Sequence, residues 1–503
     1  MLKNIIANII GKFWSLFSVF IFVPLYIVFL GFESYSVISF TLVIAGLMAI
    51  LDAGLTATLS REFARKDKTN SDKRNILGTL ETIYIVLVAF VIALVFLFSN
   101  TIATNWLKVS GISISELSLF LKLVSFEVGF QMLFRFYLGG LLGLEYQVAA
   151  NVIQISWGVV RNGLVVLLIY FFPTLEAYFI WQAISTALFT IILKYILQKK
   201  LIGYGSLKFY FYVNKSILND VSGFAGGMLL ISIVAAINTQ LDKLTISKLL
   251  SIESLGYYTL GVSLATSFIV LVNPISVALL PRFTALYSER KNAEASRLFL
   301  LVNLITSIII FSFMANMTFF SKEILWIWTG KKELAEKVSS ILPILGMSYA
   351  MLSLAIIPYN IAIANGYTKL NNILGILSIF ITIPGYYMAI RDYGILGAAL
   401  VFLIVQSIIT LLYYYFINKK FIASDLFTLF GRKLFFPMIV TLVIAFCIYS
   451  IPINIWDNRF FSLAWIGLST LVTFSFTSIL FLKKETINQV LRIVTIRFGN
   501  KLK

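Results

Sequence analysis

Between positions 127 and 161 the sequence places ionisable groups inside long apolar runs. Glu127, Gln131 and Arg135 recur at i, i+4 and i+8, which puts them on one face of a helix. Further on, Asn151, Gln154, Gly158 and Arg161 recur at helical spacing. An Arg at bilayer depth costs roughly 2.5–3.5 kcal/mol on insertion scales, so it turns from lipid towards a partner charge or a wet cavity. Guanidinium binds phosphate bidentately, and an intramembrane carboxylate can carry a proton or a sodium ion. Arg161 and Arg135 are therefore candidates for an anionic substrate group, with Gln131, Asn151 and Gln154 lining the same cleft. Lys12 joins them from the polar face that Asn8, Lys12 and Ser15 give the first apolar run. Asp52, Glu127 and Asp242 are the ion-coupling candidates, with Lys243 beside the last. The alternative for each acid is a structural pairing with Arg135, Arg161 or Lys243 that ties helices together. Lys122 and Glu145 fall near run ends, where snorkelling suffices.

Such groups need a bundle to hold them. The chain of 503 residues is 60% hydrophobic and 12% charged, with a mean hydropathy of +0.94. Apolar runs of about 20 residues, the length that crosses a bilayer, recur along it. The fold class is an all-α polytopic membrane protein of about fourteen transmembrane helices, the first near 10–30 and the last near 460–482. A formal net charge of +18 raises nucleic acid as a partner. The basic residues lie in short connections rather than along one stripe, which excludes it. With no His, imidazole bases and histidine metal sites are excluded, and the single Cys447 closes no intramolecular disulfide. No metal site and no catalytic residue is expected. With the N-terminus cytoplasmic, most of the 40 Lys and Arg fall inside, in clusters near 61–74, 194–215, 282–297, 419–433 and 483–503. Both termini are then cytoplasmic. The basic start, Lys3 and Lys12, reads as a retained first span rather than a cleaved signal. Trp106, Trp326, Trp328 and Trp456 lie near predicted outer boundaries, as interfacial anchors. The longest outer segments, near 100–118 and 321–337, are too short to fold alone.

An internal repeat is visible at an offset of about 221 residues. Glu33-Ser34 echoes Glu253-Ser254, Trp106 matches Trp328, Tyr146 matches Tyr367 and Asn151 matches Asn372. Six predicted spans separate the copies, so both halves enter the membrane the same way. The expected symmetry is a pseudo-two-fold axis along the membrane normal. That gives an N-terminal lobe over 1–215, a C-terminal lobe over 216–418, and two added helices with a basic tail over 419–503. Pro24, Pro274, Pro343, Pro358 and Pro384 fall within predicted spans, as static kinks or hinges.

The order of several short motifs then carries a resemblance. These are Leu30-Gly31-Phe32-Glu33-Ser34-Tyr35, Asp52-Ala53-Gly54-Leu55, Gln240-Leu241-Asp242-Lys243, Gly256-Tyr257-Tyr258, Leu280-Pro281-Arg282-Phe283, Trp326-Ile327-Trp328-Thr329-Gly330 and Asn365-Gly366. Over most of the first twelve spans the chain resembles the bacterial oligosaccharide-lipid flippases, the Wzx-type O-antigen translocases, of the superfamily that includes MATE exporters. It departs at Ser36, where Gly is common, and at Thr329, where Leu is usual. The resemblance implies a MATE-like pair of six-helix lobes around a cationic cavity. It implies flipping of undecaprenyl-diphosphate-linked O-antigen, capsule or exopolysaccharide units across the bacterial cytoplasmic membrane. Alternating access would be driven by H+ or Na+, with no other cofactor. Implied partners are the lipid-linked oligosaccharide, membrane lipids, and the polysaccharide polymerase and chain-length regulator of the same pathway. A MATE-type multidrug or cation antiporter is the alternative, but its cavity should be acidic where this seam carries Arg. A membrane polysaccharide polymerase or glycosyltransferase would want catalytic carboxylates or basic residues in a substantial outer loop. The peptidoglycan-precursor flippases place several Arg and an Asp in the first span, where this chain offers Lys12.

Overall fold

A computed structural model describes residues 2–52, 54–203, 207, 209, 211–453 and 455–482, without the side chains of 2–13, 15, 16, 49, 202 and 230. Every regular element among the described residues is helical. Helix α1 (Leu2–Leu30) is followed by α2 (Phe32–Met48), which tightens into a 3-10 turn over Ala49–Asp52, and by α3 (Leu55–Ala64). Helices α4 (Asn70–Asn105) and α5 (Ile114–Gly143) each open on a capping box, Thr69 with Asp72 and Ser113 with Glu116. Each box satisfies backbone N–H groups that a helix start would otherwise leave bare. Helix α6 (Gln147–Gly158) runs through a π-turn (Val159–Leu164) into α7 (Val165–Phe171). Thr174 caps α8 (Leu175–Ile202), and Asn214 caps α9 (Lys215–Leu249). Then come α10 (Ile252–Ala265), α11 (Ser267–Ser288), α12 (Asn292–Phe319), α13 (Ser321–Thr329), α14 (Lys332–Ser339), α15 (Leu342–Ala364), α16 (Thr368–Ile417), α17 (Phe436–Tyr449) and α18 (Arg459–Phe481).

Among the described residues twelve helices are long and apolar enough to cross a membrane, against about fourteen expected from hydropathy. Two places account for the difference. The first helix enters that measure only through Phe17–Leu30. The stretch Thr368–Ile422 counts once, although its backbone is not helical at Gly394, where φ is 60° and ψ −142°. That region of backbone space is open in practice to glycine alone. Pro24, Pro274, Pro358 and Pro384 do lie inside helices, whereas Pro343 opens α15. In the first turn its missing N–H has no partner to lose. The predicted outer segment near 321–337 folds as the short helices α13 and α14.

The described residues form two compact units, those within 1–263 with Gly375–Val401, and Leu264–Leu374 with those within 402–503. In the first, α4, α5 and α8 pack closely, with α3 against α5. Small residues let these backbones approach, as lipid-embedded helices require in place of a hydrophobic drive. A Cβ at Gly129 would stand 2.6 Å from Ile92 Cδ1, and one at Gly140 would stand 2.9 Å from Leu197 Cδ2. In the second unit, α12 packs against α15, α17 and α18. Polar ties cross its helices: Ser469 Oγ donates to Asn316 Oδ1 at 2.5 Å, and Asn360 Nδ2 donates to Ser276 Oγ at 2.6 Å.

Candidate substrate and ion site

Six residues, Val159–Leu164, wind as a π-helix. Such a turn upsets the usual backbone ladder, and bulges of this kind recur at functional sites. Side chains take its carbonyls here. Trp181 Nε1 donates to Val160 O at 3.0 Å, Gln182 Nε2 to Arg161 O at 3.1 Å, and Tyr26 OH to Asn162 O at 2.8 Å. Helix α1 lies along the turn with residues four apart. Trp14 abuts Gly158, Ser18 Oγ accepts from Asn162 Nδ2 at 3.1 Å, Phe22 abuts Gly163, and Tyr26 reaches Asn162. On α1 the sequence pointed to Asn8, Lys12 and Ser15. The described face is Trp14-Ser18-Phe22-Tyr26, a spacing legible in the sequence; the side chain of Lys12 lies outside the described residues.

Arg161 reaches from the π-turn to Glu127 on α5, with Nη2 2.5 Å from Oε1. Gln131 Nε2 donates to the same oxygen at 2.5 Å. The Glu127 and Arg161 side chains are 5% and 13% exposed. Arg161 Nη1 donates to Asn162 Oδ1 at 3.2 Å, and the guanidinium carbon lies 5.2 Å from the Trp157 ring centroid. Taking either ion out of water costs several kcal/mol, which only close pairing with further hydrogen bonds repays. Glu127, Gln131 and Arg161 thus come together, and the charge on Arg161 is balanced inside the cluster.

The other expected site residues do not join them. Arg135 is exposed on α5 and forms no ion pair among the described residues. Asn151 is buried, with Nδ2 donating to Gln147 O of its own helix at 2.8 Å, and Gln154 is exposed. An α-helix advances about 100° per residue and a π-turn less, so Arg161 drifts off the face that regular spacing assigns it. Asp52 Oδ1 accepts from Thr56 Oγ1 at 2.5 Å and from Tyr84 OH at 2.6 Å. Asp242 is buried, accepts from Tyr258 OH at 2.9 Å, and has Lys243 Nζ 3.3 Å away.

Two buried charges are not legible as a pair in the sequence. Glu81 on α4 and Lys194 on α8 form an ion pair of 3.1 Å, their side chains 3% and 4% exposed, and Tyr137 OH donates to Glu81 Oε1 at 2.6 Å. Lys194 reads in the sequence as the start of the basic cluster near 194–215, and Glu81 is not singled out there. Opposite charges on two apolar runs were the available signal. Within the basic stretch 61–74, Arg65 pairs with Glu62 at 3.2 Å and with Asp67 at 2.6 Å. Its hydrogen bond holds the Asp67 carboxyl below the usual carboxylate range. Among the described residues no three Asp, Glu, His or Cys gather as a metal set.

Comparisons with known proteins bear on this arrangement. The family model described as polysaccharide biosynthesis protein matches residues 1–287, and the model described as MatE matches residues 228–388. A candidate O-antigen transporter of Shigella flexneri is 22% identical over 373 residues, covering 74% of this chain and 86% of that protein. The capsular polysaccharide biosynthesis protein CapF of Staphylococcus aureus is 24% identical over 238 residues, covering 46% and 57%. Among solved structures, the lipid II flippase MurJ in its inward closed conformation gives a TM-score of 0.73 at 17% identity, over 95% of this chain and 99% of that one. An inward-facing multidrug resistance MATE family transporter of the MOP superfamily gives 0.63 at 13% identity, over 82% and 95%. The fold is of the MATE and MurJ type.

Proposed function

The chain belongs to the polysaccharide biosynthesis protein family, and from that premise we propose that it moves a lipid-linked oligosaccharide across the bilayer. The cargo is an undecaprenyl-diphosphate-linked repeat unit of O-antigen, capsule or exopolysaccharide. It passes from the cytoplasmic to the outer leaflet of the bacterial cytoplasmic membrane, and no bond in it is made or broken. Hydroxyls and a diphosphate cannot cross hydrocarbon unless something replaces their water. Polar side chains of the bundle do that while the prenyl tail stays in lipid.

The observation that carries this reading is Arg135, a guanidinium two turns from Glu127 along α5, exposed and without an ion pair among the described residues. It is available to a diphosphate as Arg161 is not, because Glu127 already balances Arg161. Arg161 meets an anion only when Glu127 takes up a proton or yields to the cargo, and that exchange couples an ion to transport. Gln131, Asn151, Gln154 and Lys12 complete the polar path. Asp52 and Asp242 are the further carboxylates for H+ or Na+. The cycle is alternating access by the lobes over 1–215 and 216–418, with 419–503 an addition and both termini cytoplasmic. The polymerase and chain-length regulator of the same pathway receive the product.

The test is reconstitution into sealed vesicles with lipid-linked oligosaccharide, measuring how much glycan becomes accessible to a hydrolase added outside. Protein-dependent exposure at unchanged glycan size is expected. Movement of a lipophilic cation instead would favour a MATE-type antiporter, and a lengthened glycan would favour a polymerase.

A further inference from the structure

Buried polar atoms without partners gather round the π-turn. Among the described residues, Trp14 Nε1, Arg161 Nε and Gln182 Oε1 are buried and make no hydrogen bond. All three belong to residues that already hold the turn: Trp14 abuts Gly158, Arg161 is its third residue, and Gln182 binds Arg161 O. Gln182 is only 1% exposed. Native interiors leave few such groups unmet, so three at one irregular turn mark it as a place that can receive a hydrogen-bonding ligand.

The chemistry of the three narrows what that is. Two are N–H donors and one is a carbonyl acceptor. A diphosphate only accepts, so it would leave Gln182 Oε1 facing an anion. Glu127, 2.5 Å from Arg161, would repel it further. A hydroxyl both donates and accepts, and carries no charge. The rings of Trp14, Trp157, Trp181 and Tyr26 each touch a residue of the turn or its flank, Tyr178 packs 5.3 Å from Tyr26, and Trp157 has one face stacked on Phe134. Aromatic rings, two uncharged hydrogen-bonding groups and a guanidinium already balanced by Glu127 suit a sugar ring, whose C–H faces are apolar and whose rim is hydroxyl.

On the flippase reading above, we infer that the π-turn is a glycan subsite, distinct from the diphosphate contact at Arg135. Sugar hydroxyls donate to Gln182 Oε1 and accept from Arg161 Nε and Trp14 Nε1. Entry requires α1 to part from the turn, and the hydrogen bonds of Ser18 and Tyr26 to Asn162 are what hold it there. The paired state of Arg161 with Glu127 is the state that binds sugar.

The test uses full-length protein in nanodiscs and equilibrium dialysis. One probe is the free oligosaccharide released by mild acid from the host's lipid-linked pool; the other is inorganic pyrophosphate. Gln182→Met removes the acceptor at similar size, and Trp14→Phe removes an N–H while keeping a ring. Each should weaken oligosaccharide binding roughly tenfold, the worth of one hydrogen bond, and leave pyrophosphate binding unchanged. Should Gln182→Met fail to fold, Trp14→Phe alone decides. Wild-type protein that moves lipid-linked glycan in vesicles, yet binds free oligosaccharide no better than the variants do, overturns the subsite alone; the three atoms then meet water. Wild-type protein that moves no glycan overturns the flippase reading with it.

Discussion

Cutting the Arg161–Glu127 pair from each side, and then from both, measures what the buried charges are doing. The two groups stand 2.5 Å apart with side chains 13% and 5% exposed. Removing one partner of such a pair strands the other and typically costs 3–5 kcal/mol. Arg161→Met leaves Glu127 with the Gln131 hydrogen bond, which softens the loss to about 3 kcal/mol. Glu127→Gln leaves Arg161 with Asn162 Oδ1 and a neutral carbonyl, a loss of about 2 kcal/mol. The double variant strands no charge and should be no less stable than the milder single, giving a coupling of about 3 kcal/mol. Denaturant titration of the detergent-solubilised protein, read as retained monodisperse fraction, supplies the four corners of the cycle. Additive losses, with the double variant near 5 kcal/mol down, would refute the pairing.

Three further outcomes follow from other parts of the molecule. Lys194→Met should destabilise by about 3–5 kcal/mol by leaving Glu81 buried and unpaired, and adding Glu81→Gln should recover most of that in the same titration. Gly394→Ala should cost about 1–3 kcal/mol, because φ of 60° with ψ of −142° suits no side chain, and a thermal melt would register it. Burial raises the Glu323 carboxyl above its ordinary range, so the stability it lends is present at low pH and fades as pH rises through that raised value. Glu323→Gln, which keeps an acceptor for Trp456 Nε1, should therefore raise the melting temperature at pH 7 and bring no gain near pH 4.

Much of the bundle was legible because a bilayer-length apolar run declares itself, and because Glu127 and Gln131 at i, i+4 must share a face. Which partner Glu127 takes was not legible, since Arg161 comes from another helix and only packing decides between it and Arg135. The π-turn was hidden for a related reason: Val159–Leu164 has no composition that separates it from the α-helix on either side. It moves Arg161 away from the face shared by Asn151 and Gln154. Tyrosines entered the sequence reading only as repeat matches and motif members. Yet Tyr84, Tyr137 and Tyr258 each donate a hydroxyl to a carboxylate within the bundle, at Asp52, Glu81 and Asp242. A low-dielectric interior rewards any donor that can reach an acid. Sequence spacing cannot show that reach. Glu81 and Lys194 were not paired because they stand on apolar runs far apart in the chain, and only the packing of α4, α5 and α8 brings them together.

Charge at position 135 is where the account stands most exposed. Arg135 is at the surface of its helix, so replacing it should change stability by no more than about 0.5 kcal/mol. Translocation of lipid-linked oligosaccharide across the membrane of sealed vesicles should fall only about tenfold for Arg135→Lys, which keeps the charge and loses the bidentate fork. For Arg135→Glu it should fall at least about a hundredfold, since repulsion replaces a charge-assisted contact worth roughly 1.5–3 kcal/mol. A fully folded Arg135→Glu protein that flips the glycan at the wild-type rate would contradict it.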